Sequence, residues 1–96
     1  MEAGVNRIDC VNLVDSASPW DRVFRLSGTH DSDGQRWSCT HAQCIAYIEQ
    51  GYQFYIEREG GQRLYLEVAT SMLGRKYVRT VIDKETPEQL LRLAVA

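Results

Sequence analysis

The stretch THAQCIAYIEQGYQFYIE, residues 40–57, decides the fold. The Thr40 hydroxyl is placed to accept the Gln43 amide, and the Gln43 side chain to return a bond to the Thr40 amide, a capping box that starts a helix. From His41 to Gln50, Ala42, Ile45 and Ile48, with Cys44 beside them, recur at three- and four-residue spacings and form an inward stripe. Gly51 stands where a left-handed helix terminus favours glycine. Directly afterwards Tyr52, Phe54 and Ile56 alternate with Gln53, Tyr55 and Glu57, so the period changes from helical to extended and a strand follows the helix.

Outward from this junction the chain reads as strands. Downstream, Arg58 to Gln62 forms a glycine-bearing hairpin, and Leu64, Leu66 and Val68 then face one way while Tyr65 and Glu67 face the other. Met72 to Lys76 makes a second reversal before a strand from Tyr77 to Val81 or Ile82, and Pro87 with Leu90, Leu91 and Leu93 predicts a short terminal cap. Upstream, Gln35 to Cys39 is a short strand after the polar turn His30–Gly34. Arg22 to Thr29 is another, with Phe24 and Leu26 expected in the core and Val23, Arg25 and Ser27 on the opposite side. A first extended segment spans Arg7 to Val14. There strict alternation separates Ile8 and Cys10 from Val11 and Leu13, so either both faces are covered or a bulge changes the phase midway. Asp15 to Pro19 connects the two as a loop.

Ninety-six residues with formal charge −2 and 44% apolar residues describe one domain, residues 1–96, with its own core. No apolar run approaches the roughly 18–20 residues of a membrane span. The N-terminal residues lack a basic segment followed by an apolar one, so cytoplasm is the expected location. Three cysteines cannot all pair within one chain, and a fold of this size needs no disulfide scaffold. The predicted class is α+β: five or six strands in a mainly antiparallel sheet against one principal helix, with a short C-terminal cap. A small curled barrel is the competing geometry, with Arg7–Cys39 as a curled meander and Tyr52–Ile82 closing its edges.

Four fragments, in order, carry a family resemblance. They are G-x-R-W from Gly34, I-x-x-I-E-x-G from Ile45 to Gly51, Gly74-Arg-Lys-Tyr-Val-Arg-Thr80, and Asp83 through Pro87 leading to Leu90, Leu91 and Leu93. With these the chain resembles a bacterial family of small uncharacterised proteins, domain of unknown function family 3892. Its closing leucine-proline pair is Leu93-Ala94 here. The resemblance implies a small mixed α/β domain and supplies no activity or catalytic residues.

Candidate chemistry is sparse. His30, Cys39, His41 and Cys44, with Cys10 as an optional partner, have donors suited to zinc, but Cys39-x-His41-x-x-Cys44 straddles the strand-to-helix junction and no second compact pair follows. Ordinary packing accounts for them, with Cys10 and Cys44 in the core, Cys39 filling the junction, His41 exposed in the first helical turn and His30 in the preceding loop. The same cysteines and histidines with Asp31 or Asp33 could be drawn as a nucleophilic triad, which orientation and access would have to support. Asp31, Asp33 and Glu49 fall on no shared recessed face, and Gly60-Gly61 lacks the following helix and lysine of a phosphate loop. No catalytic residue, metal or cofactor is therefore assigned, and the protein is not expected to be an enzyme.

Arg75, Lys76 and Arg79 with Tyr77 form the best positive patch, which with Arg58 or Arg63 could meet nucleic-acid phosphates, or could be a solvated sheet edge. Trp20 beside Pro19 is the better exposed aromatic anchor, whereas Trp37 beside the helix start reads as structural and Tyr47 is a further surface aromatic. The expected function is a noncatalytic protein-interaction domain, homodimeric through an edge strand or an aromatic patch in one form, using Trp20, Arg75, Lys76, Tyr77 and Arg79. The alternatives are an accessory DNA- or RNA-binding protein using the basic patch, and a small metal-binding domain or enzyme.

Overall fold

Two meanders joined by a helical crossover organise the chain. The computed structural model describes residues 4–16, 18–83 and 86–95. Met1 to Ala3 of the N-terminal segment, Ala17 of the predicted loop, Lys84 and Glu85 of the Asp83–Pro87 motif, and Ala96 lie outside the described residues. The first meander is β1 (Val5–Leu13), β2 (Val23–His30) and β3 (Arg36–Thr40). Helix α1 (His41–Glu49) then crosses to the second, β4 (Gln53–Glu57), β5 (Arg63–Thr70) and β6 (Lys76–Thr80). The spatial order is β3-β2-β1-β4-β5-β6. Hairpin neighbours pair antiparallel, but the crossover returns the chain beside β1 in the same direction, so Val5–Ile8 pairs parallel with Gln53–Ile56. Helix α2 (Glu88–Leu91) closes the chain, and β7 (Ala94–Val95) adds a parallel partner to β1 at Cys10–Val11, which sequence reading left out.

This is the expected α+β architecture, a sheet packed against one principal helix with a short cap, and it is not closed into a barrel. The curl is present all the same. The 3-10 turn Pro19–Asp21 before β2 reaches β6, where Trp20 lies 6.5 Å from Tyr77 and Arg75 Nη1 lies 2.9 Å from Asp21 Oδ2. Among the described residues no helix is long and apolar enough to cross a membrane.

The phase conflict in β1 is resolved by a bulge. Ile8 pairs with Gly28 and Cys10 with Ser27, which leaves Asp9 as the extra residue, so Ile8 and Val11, three apart, both enter the core. A second shift between Asn12 and Leu13 leaves Phe24 as the extra residue of β2. Val23 and Leu26 are therefore buried and Phe24 is 52% exposed, which reverses the expected phase of that strand's first half. Within α1 the inward stripe is His41, Cys44, Ile45 and Ile48, with Ala42 exposed. Both bonds of the capping box form, at 2.9 and 3.1 Å, and Gly51 takes φ +104°. Leu90 is fully buried, so the C-terminal cap belongs to the core. The face of the sheet away from α1 carries ion pairs, Arg36 with Asp9, Arg7 with Glu57 and Arg63 with Asp31.

Candidate functional site

The expected surface residues do not form one patch. Arg75 pairs with Asp21 at 2.9 Å, Lys76 with Glu49 of α1 at 2.6 Å and Arg79 with Glu67 of β5 at 3.0 Å. Lys76 and Arg79 are an odd number of residues apart on one strand and leave it on opposite faces. Arg63, at the start of β5, turns towards β4 instead: it pairs with Asp31 and stacks 4.3 Å from the Tyr55 ring centroid. Tyr77 is 2% exposed and half-buried Trp20 lies against it, so neither presents an open ring face in the expected manner.

The thiols and imidazoles also part company. Among the described residues no three His, Cys, Asp or Glu side chains gather as a metal site. Cys10 contacts the Ser27 hydroxyl at 2.7 Å on the face away from α1. Cys39 and Cys44 are buried neighbours, and all three cysteines are free thiols. The hydrogen bond with Cys39, followed by burial, pushes the Cys44 thiol far above its ordinary range, which makes it a poor nucleophile.

His41 is not the exposed side chain expected. It sits in the inward stripe of α1, and its Nε2 accepts the backbone N–H of Val78 at 3.1 Å. An accepting Nε2 requires a neutral ring with the proton on Nδ1. Burial lowers the His41 pKa, against a smaller opposing pull from Asp21.

That bond bears on the two edges of the sheet. In β6, Ser71 N–H bonds to Arg75 C=O and Val81 N–H to Tyr65 C=O, so by antiparallel alternation Lys76, Val78 and Thr80 turn their main-chain groups outward. Side chains occupy two of these donors, His41 at Val78 and Asp83 Oδ2 at Thr80 N–H, 3.0 Å away. At the opposite edge His30 N–H bonds to Gln35 C=O, so Arg36, Ser38 and Thr40 turn outward in β3. Thr40 N–H is taken by Gln43 in the capping box. Among the described residues the main-chain groups of Arg36 and Ser38 have no such cover, and both residues are exposed. Arg36 is held bidentate on Asp9 at 2.9 and 3.0 Å, which keeps its side chain on the outer face of the sheet.

Beside this open edge lies a cleft of about 360 Å³, lined by Gly4 and Asn6 of the β1 end, His30, β3 residues Trp37 to Cys39, Tyr47 of α1, and Tyr52 and Phe54. Trp37 and Phe54 meet edge to face at 5.2 Å, Tyr47 and Tyr52 lie 5.1 Å apart, and Tyr47 and Phe54 6.4 Å apart. Asn6 is 3% exposed; its Nδ2 donates to Gln53 C=O at 3.2 Å, which turns Oδ1 to His30 Nδ1. In the neutral ring an acceptor at that position holds the proton on His30 Nδ1, so that Nε2 carries the lone pair, and no described residue bonds to it. The Trp37 indole N–H is buried with no described acceptor. Such a group costs roughly 1–3 kcal/mol, and departures of this kind concentrate where a surface is shaped for something besides stability. Sequence reading named His30, Trp37 and Tyr47 separately but missed their grouping with Asn6, Tyr52 and Phe54. Asn6 precedes the first predicted strand, which starts at Arg7, so its inward position appears only once β1 is seen to begin at Val5.

Comparison with protein-family models, with curated proteins and with solved structures finds no match to this chain.

Proposed function

We propose that the protein is a noncatalytic protein-interaction domain that self-associates through the outer edge of β3. The asymmetry between the two edges carries this reading. Of the three outward donors of β6, Val78 and Thr80 are occupied by described side chains and Lys76 at the strand's start is not, in the way natural proteins blunt an edge, whereas in β3 only Thr40 is so occupied and Arg36 and Ser38 keep theirs. A second copy can pair antiparallel about a two-fold axis at Ser38, each Ser38 N–H donating to the partner's Ser38 carbonyl, in the self-complementary manner of a two-fold interface. With Arg36 committed to Asp9, its charge does not stand in the path of the incoming strand. Three free thiols accord with a reducing, cytoplasmic setting. Carboxylate pairing of Arg75, Lys76 and Arg79 and the burial of Tyr77 favour this reading over a phosphate-binding groove.

The test is native mass measurement from about 1 μM to about 1 mM, the range of weak self-association. The mass is expected to rise from the 11.0 kDa monomer towards twice that value. Ser38→Pro removes an outward N–H and spares the ladder to β2, so it should restore the monomer. If that variant does not fold, Arg36→Pro tests the same edge at the first residue of the strand, where proline is tolerated. A protein that stays monomeric throughout, or a dimer that both prolines leave intact, overturns the proposal.

A further inference from the structure

The aromatic cleft points beyond self-association, because its walls are specific in chemistry. Trp37, Phe54, Tyr47 and Tyr52 supply π surfaces as two ring pairs joined through Tyr47 and Phe54. None of the described lining side chains is a lysine, arginine, aspartate or glutamate, so an ion would meet no opposite charge there to offset its lost hydration. One hydrogen-bonding atom is prepared. Buried Asn6, itself anchored on Gln53 C=O, fixes the His30 tautomer so that Nε2 accepts. A volume of about 360 Å³ lies in the ordinary range for small-molecule sites, where apolar walls with few placed polar groups are the rule.

We infer that this cleft binds a small, uncharged heteroaromatic molecule, stacked among Trp37, Tyr47, Tyr52 and Phe54 and donating one N–H hydrogen bond to His30 Nε2. Flatness is selected by the rings, neutrality by the lack of charged side chains in the described lining, and the donor by the asparagine-fixed imidazole. The proposal rests on the side chains of the cleft and not on the outward main-chain groups of Arg36 and Ser38, so a failure of self-association leaves it standing.

Titrating the full chain with indole, 1-methylindole and tetramethylammonium, followed by calorimetry and amide chemical shifts, tests it. Indole is expected to saturate one site, with shifts centred on Trp37, Tyr52 and Phe54. 1-Methylindole keeps the ring and loses the donor, and should bind about fivefold more weakly, the effect of one ordinary hydrogen bond. Tetramethylammonium separates a cage for cations from a site for neutral rings and should not compete. Tyr47 is 38% exposed on α1, so Tyr47→Ala should fold and weaken indole binding by about tenfold, as loss of a stacking ring does. Failure of indole to saturate, equal affinity for indole and 1-methylindole, tighter binding of tetramethylammonium, or undiminished binding by Tyr47→Ala overturns the inference.

Discussion

Gly28→Ala tests the bulge that sets the phase of β1. Gly28 pairs with Ile8 at the last position before Asp9 is inserted, and the two backbones are closely apposed there. A Cβ at Gly28 would fall 1.7 Å from the Arg7 carbonyl oxygen, 2.7 Å from its carbon and 3.0 Å from Ile8 Cα. All three are main-chain atoms, so no side chain can swing aside. To restore even a 3.0 Å approach, the carbonyl must retreat by about 1.3 Å, which hydrogen bonds near 2.9 Å do not survive. Overpacking alone costs about 1–3 kcal/mol and each lost ladder bond about 1 more, so the expected loss is about 3–5 kcal/mol. Against the 5–15 kcal/mol of an ordinary domain this is a large fraction, and at 4–8 °C per kcal/mol the midpoint should fall by roughly 12 °C or more. Gly34→Ala is the control: Gly34 has φ +72° and nothing within 4 Å of the added methyl, so only the left-handed conformation is penalised, at about 1–2 kcal/mol. Urea unfolding with an unchanged slope reads both. A Gly28→Ala midpoint equal to that of the wild type, or one no lower than that of Gly34→Ala, refutes the close-approach argument.

The second bulge separates neighbours in β2: Leu26→Ala should cost about 3–5 kcal/mol in urea unfolding because Leu26 is fully buried, whereas Phe24→Ser should stay within about 0.5 kcal/mol. Equal costs would place Phe24 in the core after all. For His41 the folded pKa lies below the ordinary 6.5, so its contribution is present above pH ~6.5 and is lost as pH falls through the folded pKa, by at most about 1.4 kcal/mol per pH unit. His41→Gln should flatten the stability profile below about pH 6.5 relative to the wild type, and parallel profiles would remove His41 from the acid response.

Legibility followed the range of the interaction. Thr40, Gln43 and Gly51 act within one or two turns of chain, and both ends of α1 were readable from them. Strand β5 was readable because Leu64 and Leu66 alternate with exposed Arg63 and Tyr65 on an uninterrupted pleat. Strand β2 was misread in part because the shift at Phe24 depends on its pairing with β1. The candidate site was less legible still: His30, Trp37 and Tyr47 are noticeable singly, but Asn6 and Gln53 meet them only across paired strands.

By itself the sequence determined the α+β class, the capped helix, the hairpins and the apolar cap at Leu90, because each arises from local conformational preference or a short hydrophobic period. Tertiary structure alone decided the parallel pairing of β1 with β4, the two bulges, the partition of Arg75, Lys76 and Arg79 among three carboxylates, and the contrast, among the described residues, between a β6 edge capped at Val78 and Thr80 and a β3 edge capped at Thr40 alone. Those outcomes depend on which distant backbone group or charge a residue meets, and such encounters leave no periodic trace along the chain.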